Sequence, residues 1–212
     1  MTNLAEARIW KYNIPDVEMI RTIPVIGLAG PIRAGKGEVA KILARRFGFY
    51  TFTTSQIIQD VLRFDEVDTY QSRSVLGEVG HDLRKSFGGD FLVTLGIRQA
   101  IAAHNRGSRF NGIVIEGCRN LDEGVAIRNF QNGLLLWIDA QYDIRHKRPD
   151  YRFRLQGVGE QEFARRDTFE QEWMDPLKQM AQVTLINNSS LEELESGVVD
   201  VIYQKLNLKP FF

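Results

Sequence analysis

Residues Ile23 to Lys41 constrain this chain more than any other stretch. A short apolar run, Ile23-Pro24-Val25-Ile26-Gly27-Leu28, leads into a glycine-punctuated loop, and an amphipathic run begins at Lys36. From Gly30 to Lys36 the spacing is G-x-x-x-x-G-K, and a strand before it with a helix after it is the setting in which such a loop wraps a phosphate. Glycine tolerates the positive φ that lets successive N–H groups curl round an anion. The helix beginning at Lys36 points the positive end of its dipole at the same place, and the lysine adds a full charge for the outer phosphates. Gly30, Arg33, Ala34, Gly35, Lys36, Gly37 and Glu38 are therefore the expected nucleotide-phosphate contacts. The residue after such a lysine is usually Ser or Thr, whose hydroxyl holds Mg²⁺. Here it is Gly37, followed by Glu38, so the metal must be held through water, by Glu38 itself, or by an acid elsewhere.

A chain of 212 residues suits one α/β domain with insertions. Lys plus Arg and Asp plus Glu balance at 27 each, so no global field steers the molecule to nucleic acid or an anionic membrane, and neither is expected as a partner. The single cysteine, Cys118, excludes an internal disulfide and reads as a small buried residue. No apolar run reaches membrane-span length, and charges interrupt the N-terminus, so a cytoplasmic location is expected.

Five segments read as strands: Pro24–Leu28, Phe49–Thr53, Gly112–Glu116, Gly133–Asp139 and Val183–Ile186. Between them lie helical patterns from Lys36 to Phe47, from Thr53-Thr54-Ser55 to Phe64, from Arg73 to Gly88-Gly89, from Asp90 to Ala103, and from Asn120 to about Phe130. Two more follow: Gln161–Gln179, bent or ended by Pro176, and a last helix opened by Ser190 and Glu193 as a capping box. Residues 65–72 read as a loop, and residues 1–22 as an extension that packs on the body or mediates self-association, leaving a homodimer open. Glu116-Gly117-Cys118-Arg119 ends the clearest strand after the first unit, a small β-branched run flanked by glycine, where open α/β sheets place ligands. A carboxylate and an arginine there are costly to leave unpaired, which favours function over a structural ion pair.

Gly-Lys-Gly at 35–37 resembles adenylate kinase and the other nucleoside monophosphate kinases. Leu76-Gly77, Leu83-Arg84, Phe87-Gly88 and Glu116-Gly-x-Arg119 resemble archaeal and bacterial nucleotide kinase-like proteins related to dephospho-CoA kinase, as does the Asn187-Asn188-Ser189 turn. The resemblance implies a three-layer P-loop NTPase domain over 23–212, with a parallel five-stranded sheet in the order 2-3-1-4-5, acceptor-binding helices, and an arginine-bearing lid over about 143–168. It also implies ATP and Mg²⁺ as cofactors and a small-molecule phosphate acceptor. In its terms Lys36 holds phosphates, Glu116 and Glu38 serve the metal, and Asn188 lies beside the adenine. Ser55, Arg84 and Arg119 meet the acceptor, while Arg148 and Arg166 neutralise the moving phosphoryl group. Read from the residues alone, Ser55 serves equally as a cap and Arg84 equally as a solvated helix residue.

Three functions follow. The first is ATP-dependent phosphoryl transfer to a nucleoside or deoxynucleoside monophosphate; the second is dephospho-CoA kinase activity. The third, a catalytically weak nucleotide-binding regulatory protein, draws on Gly37, Glu38 and the place near Gln59 where the family carries an arginine.

Overall fold

In the computed structural model of the chain, the described residues are 22–64, 73–148 and 160–211. The expected loop at 65–72, residues 1–21 of the extension, and the central part of the expected lid lie outside them.

Five strands form one sheet: β1 (Val25–Ala29), β2 (Tyr50–Thr53), β3 (Ile113–Glu116), β4 (Gly133–Asp139) and β5 (Val183–Ile186). All neighbours pair in parallel, in the order β2-β3-β1-β4-β5, which is the architecture the resemblance implies. Helices α1 (Lys36–Phe47), α2 (Thr54–Phe64), α3 (Arg73–Phe87), α4 (Phe91–Asn105), α5 (Leu121–Arg128), α6 (Tyr142–Lys147), α7 (Glu160–Met180) and α8 (Leu191–Leu206) complete the described elements.

Alternation along the central strands builds the two apolar layers, because successive side chains of a strand point to opposite faces. Ile26 and Leu28 of β1, Val114 of β3, and Leu134, Leu136 and Ile138 of β4 join Val39, Leu43 and Phe47 of α1 and Val198 and Ile202 of α8. Val25, Ile113, Ile115, Leu135 and Trp137 point the other way, into a layer with Ile57, Leu92, Ile101, Ile127 and Leu177. Burying a side chain such as Phe47 contributes about 1.5–3 kcal/mol. A sheet buried on both faces explains why its central strands read as nearly unbroken apolar runs.

Most helix ends follow the local signals. Gly48 stops α1 in the left-handed region at φ 68°, its N–H returning to Ala44. Thr53 and Gln56 exchange hydrogen bonds at the start of α2, 3.0 Å from the Gln56 amide to Thr53 Oγ1 and 2.8 Å from the Thr53 amide to Gln56 Oε1. The side chains of Asn120 and Ser190 accept from the amides of Glu123 and Glu193. Several boundaries shift, β2 and β3 each starting one residue later than read. Strand β1 starts and ends one residue later than read, α4 runs on to Asn105, and α5 stops at Arg128. Pro176 does not end α7, which continues to Met180; apolar anchors at Met174 and Leu177 hold that turn against the core.

Candidate functional site

The register brings the C-terminal ends of β1, β2 and β3 level, Leu28 beside Glu116 and Glu116 beside Thr53. The loop after β1, the tetrad after β3 and the start of α2 therefore meet at one edge. Gly30 and Gly35 take φ of 139° and 107°, and Arg33 between them takes 59°. A Cβ on Gly30 would lie 2.0 Å from the Ile138 carbonyl oxygen, and one on Gly35 would lie 2.2 Å from Asn187 Nδ2, so both places require glycine. Lys36 Nζ folds over this loop, donating to the carbonyls of Gly30 at 2.7 Å and Pro31 at 2.8 Å.

Gly37 faces the acid at the end of β3. A Cβ on Gly37 would stand 3.6 and 3.7 Å from the two carboxylate oxygens of Glu116. The Glu116 carboxylate thus reaches toward the space that the missing hydroxyl-bearing side chain leaves open. Glu38 points elsewhere, its carboxylate 2.7 Å from Lys41 Nζ on the exposed side of α1.

The acceptor-side candidates are tied together by Glu123, which is wholly buried. Arg84 donates to Glu123 Oε1 from Nε at 3.0 Å and Nη2 at 2.7 Å, and to the Gly80 carbonyl at 3.1 Å. Glu123 Oε2 accepts from the Arg119 backbone amide at 2.7 Å. Arg84 is thus paired rather than solvated. Thr54 is buried, its hydroxyl donating to the Gly117 carbonyl at 3.2 Å, while Ser55 beside it is half-buried. Cys118 is fully buried, and burial together with the nearby Glu123 charge pushes its thiol well above 9.0.

The basic segment after β4 splits into unlike parts. Arg145 is buried and holds Asp167 with a two-pronged ion pair, Nη2 to Oδ2 at 2.7 Å and Nη1 to Oδ1. It also donates to the carbonyls of Ala140 and Ile32. Arg148 places Nη1 on the carbonyls of Arg33 and Ala34, at 2.9 and 3.0 Å, and Nη2 on that of Asn187 at 2.6 Å. Burial, with repulsion from Arg145, lowers its affinity for the proton. Arg165 is exposed on α7, and Arg166 belongs to the same helix. His146 stacks on Tyr142 at 5.9 Å and meets Phe163 edge-on at 5.7 Å. Arg33 lays its guanidinium 4.5 Å over the Phe163 ring and donates to the His146 carbonyl.

Asn188 does not project alone: its Oδ1 accepts from the Gln141 amide at 2.8 Å, joining the turn after β5 to the one after β4. Sequence reasoning assigned no role to Asn187, Asp167 or Glu123 beyond a turn, a charge string and a cap. Asn187 directly follows a strand, a signal the sequence offered, whereas Asp167 lies in the charged run Arg165-Arg166-Asp167 and carries none. Among the described residues no three acids, histidines or cysteines cluster as a metal site, and no helix is long and apolar enough to cross a membrane. A glycine loop at a helix start with one acid facing it is a donor set that suits Mg²⁺, which keeps several waters and takes few carboxylates.

No protein-family model matches the chain, and no curated protein matches it in sequence. Solved structures do match in shape. Shikimate kinase from Bacteroides thetaiotaomicron superposes with a TM-score of 0.52 at 19% identity, over 88% of this chain and 100% of the other. Shikimate kinase from Acinetobacter baumannii, solved with shikimate, gives 0.51 at 16% over 90% and 97%. TT1252 from Thermus thermophilus gives 0.54 at 18% over 86% and 97%. At these identities the likeness is one of fold, and it does not favour the dephospho-CoA kinase lineage over that of shikimate kinase.

Proposed function

We propose that this chain transfers the terminal phosphoryl group of ATP to a small anionic acceptor, a nucleoside or deoxynucleoside monophosphate being the first choice. The observation that carries the reading is the meeting of the Gly30–Lys36 loop with Glu116, whose carboxylate faces Gly37. A glycine-lined nest and lysine suit the β- and γ-phosphates. An acid beside it, with Arg119 three residues on, suits a metal and an anionic acceptor.

In this reading the acceptor oxygen forms a bond to the γ-phosphorus as the bond to the β,γ-bridging oxygen breaks, and ADP leaves with that electron pair. Lys36 and the loop amides hold the donor, and Glu116 would hold Mg²⁺ through water. Bound Mg²⁺ would supply charge neutralisation on the β- and γ-phosphates. Thr54 and Ser55 border the acceptor side at the start of α2. Arg84 spends three N–H groups on Glu123 and Gly80 and keeps two that can face a phosphate. Arg119 and Arg166 complete the set of cations. Catalysis is then positioning and charge stabilisation, with no covalent enzyme intermediate. Asn188, at the turn it shares with Gln141, borders the base of the donor.

The regulatory alternative draws on Gly37 and on Glu38 being engaged by Lys41. The approach of Glu116 to Gly37 weighs against it, because a carboxylate faces the place where the usual hydroxyl would serve the metal. Calorimetric titration of ATP with and without Mg²⁺ tests the reading. Wild-type chain should bind more tightly with the metal, Lys36→Ala should lose most of the affinity, and Glu116→Gln should lose the metal dependence. Metal-independent binding in the wild type would contradict it.

A further inference from the structure

We propose that Arg148 and Asn187 are positioning residues that clamp the phosphate loop from outside, so that Arg148 acts through the loop rather than on the moving phosphoryl group. This rests on the reading of that loop as the ATP site.

The argument begins with the peptide plane. A trans peptide points its carbonyl and its N–H in opposite directions, so holding the carbonyl aims the N–H. The Ala34 carbonyl accepts from Arg148 Nη1 at 3.0 Å and from Asn187 Nδ2 at 2.8 Å, which aims the Gly35 N–H away from both. The Ile32 carbonyl accepts from Arg145 Nη1 at 3.0 Å, which aims the Arg33 N–H likewise. The Arg33 carbonyl is held by Arg148 at 2.9 Å, while the Ala34 N–H closes a turn onto the Pro31 carbonyl at 3.2 Å.

Three side chains thus occupy the carbonyl side of the loop and leave the amides of Arg33 and Gly35 on the opposite side. Asn187 is buried and packs so closely that a Cβ on Gly35 would sit 2.2 Å from its Nδ2. Its own carbonyl takes Arg148 Nη2 at 2.6 Å, so the two clamp residues also hold each other. Only a planar fork reaches three carbonyls of two separate segments at once; an ammonium would carry the charge without the span. Hydrogen bonds from a cation are the stronger kind, and the charge behind the peptides adds to the positive potential on the amide side. Clamping lowers the reorganisation needed when a phosphate enters, so its loss appears in nucleotide affinity.

The test is calorimetric titration of Mg·ATP into wild type, Arg148→Lys, Arg148→Ala and Asn187→Ala, with kcat measured at saturating ATP. The clamp requires Kd to rise about tenfold in Arg148→Lys despite the retained charge, further in Arg148→Ala, and about fivefold or more in Asn187→Ala. Meanwhile kcat should stay within about threefold. If Arg148→Ala does not fold, Arg148→Lys and Asn187→Ala carry the test, since each leaves half of the clamp in place. An unchanged Kd with a hundredfold fall in kcat in Arg148→Lys would overturn the clamp alone and put the guanidinium on the phosphoryl group. Absence of ATP binding in the wild type would overturn the nucleotide reading, and the clamp with it.

Discussion

Replacing Asp167 by Asn removes one charge from the most enclosed ion pair described. Arg145 and Asp167 are each 2% exposed, and two hydrogen bonds run from one side chain to the other. Asparagine keeps the shape but leaves the guanidinium buried without a counter-charge. Removing one partner of a buried pair costs about 3–5 kcal/mol. The Ala140 and Ile32 carbonyls still accept from Arg145, which places the loss near the lower end, about 3 kcal/mol. With a urea m-value of about 2 kcal/mol/M, the unfolding midpoint should fall by about 1.5 M. The assay is equilibrium urea unfolding followed by far-UV circular dichroism and by tryptophan fluorescence. A double-mutant cycle with Arg145→Met should return a coupling of about 2 kcal/mol, because the second substitution removes the charge that the first left stranded. A midpoint shift under about 0.3 M, or a coupling near zero, would refute the claim that this pair is desolvated and holds α6 to α7 beneath the loop.

Other substitutions probe neighbouring parts of the account. Glu123→Gln should lower stability by about 2–3 kcal/mol in the same urea assay, since Arg84 then keeps a neutral partner in a buried place; a loss under about 0.5 kcal/mol would contradict the pairing. Gly37→Ala should melt within about 1 kcal/mol of wild type, its Cβ having 3.6 Å of clearance, whereas Gly35→Ala, at φ 107° and 2.2 Å from Asn187, should cost at least about 2 kcal/mol. Equal losses in thermal melts would show the loop to be built otherwise. Cys118 should resist a thiol-directed disulfide reagent in the native protein at pH 8 and react at once in urea. Its raised pKa also means that the folded state holds the proton longer than the unfolded one. That contribution to stability is intact below about pH 9 and declines as the pH rises through it, so a midpoint that increased with alkaline pH would contradict the burial.

The sheet was legible because its signals are local. The three central strands are short apolar runs, β2 alternates aromatic and threonine residues, and Gly48, Asn120 and Ser190 mark helix ends from within a turn. The backbone of the Gly30–Lys36 loop was legible for the same reason, its left-handed glycines and its lysine lying in one stretch. What could not be read were the partners of charged residues far apart in sequence. Arg84 finds Glu123 across 39 positions and Arg148 finds Arg33 across 115, and nothing in the local pattern selects those pairs. Pro176 reads as bending or ending α7, and the second alternative falls because the core contacts of Met174 and Leu177, which local propensity does not contain, carry the helix on to Met180.

One measurement bears most directly on the function. ADP formation should be followed for the full chain with ATP and Mg²⁺ against the common nucleoside and deoxynucleoside monophosphates, shikimate and dephospho-CoA, with Lys36→Ala beside it. The account expects a nucleoside monophosphate to stimulate ADP release well above the acceptor-free rate, and Lys36→Ala to abolish that stimulation. Stimulation by shikimate or dephospho-CoA alone would keep the phosphotransferase and correct its acceptor. A flat panel from a chain that binds ATP tightly would contradict phosphoryl transfer and leave a nucleotide-binding regulatory protein.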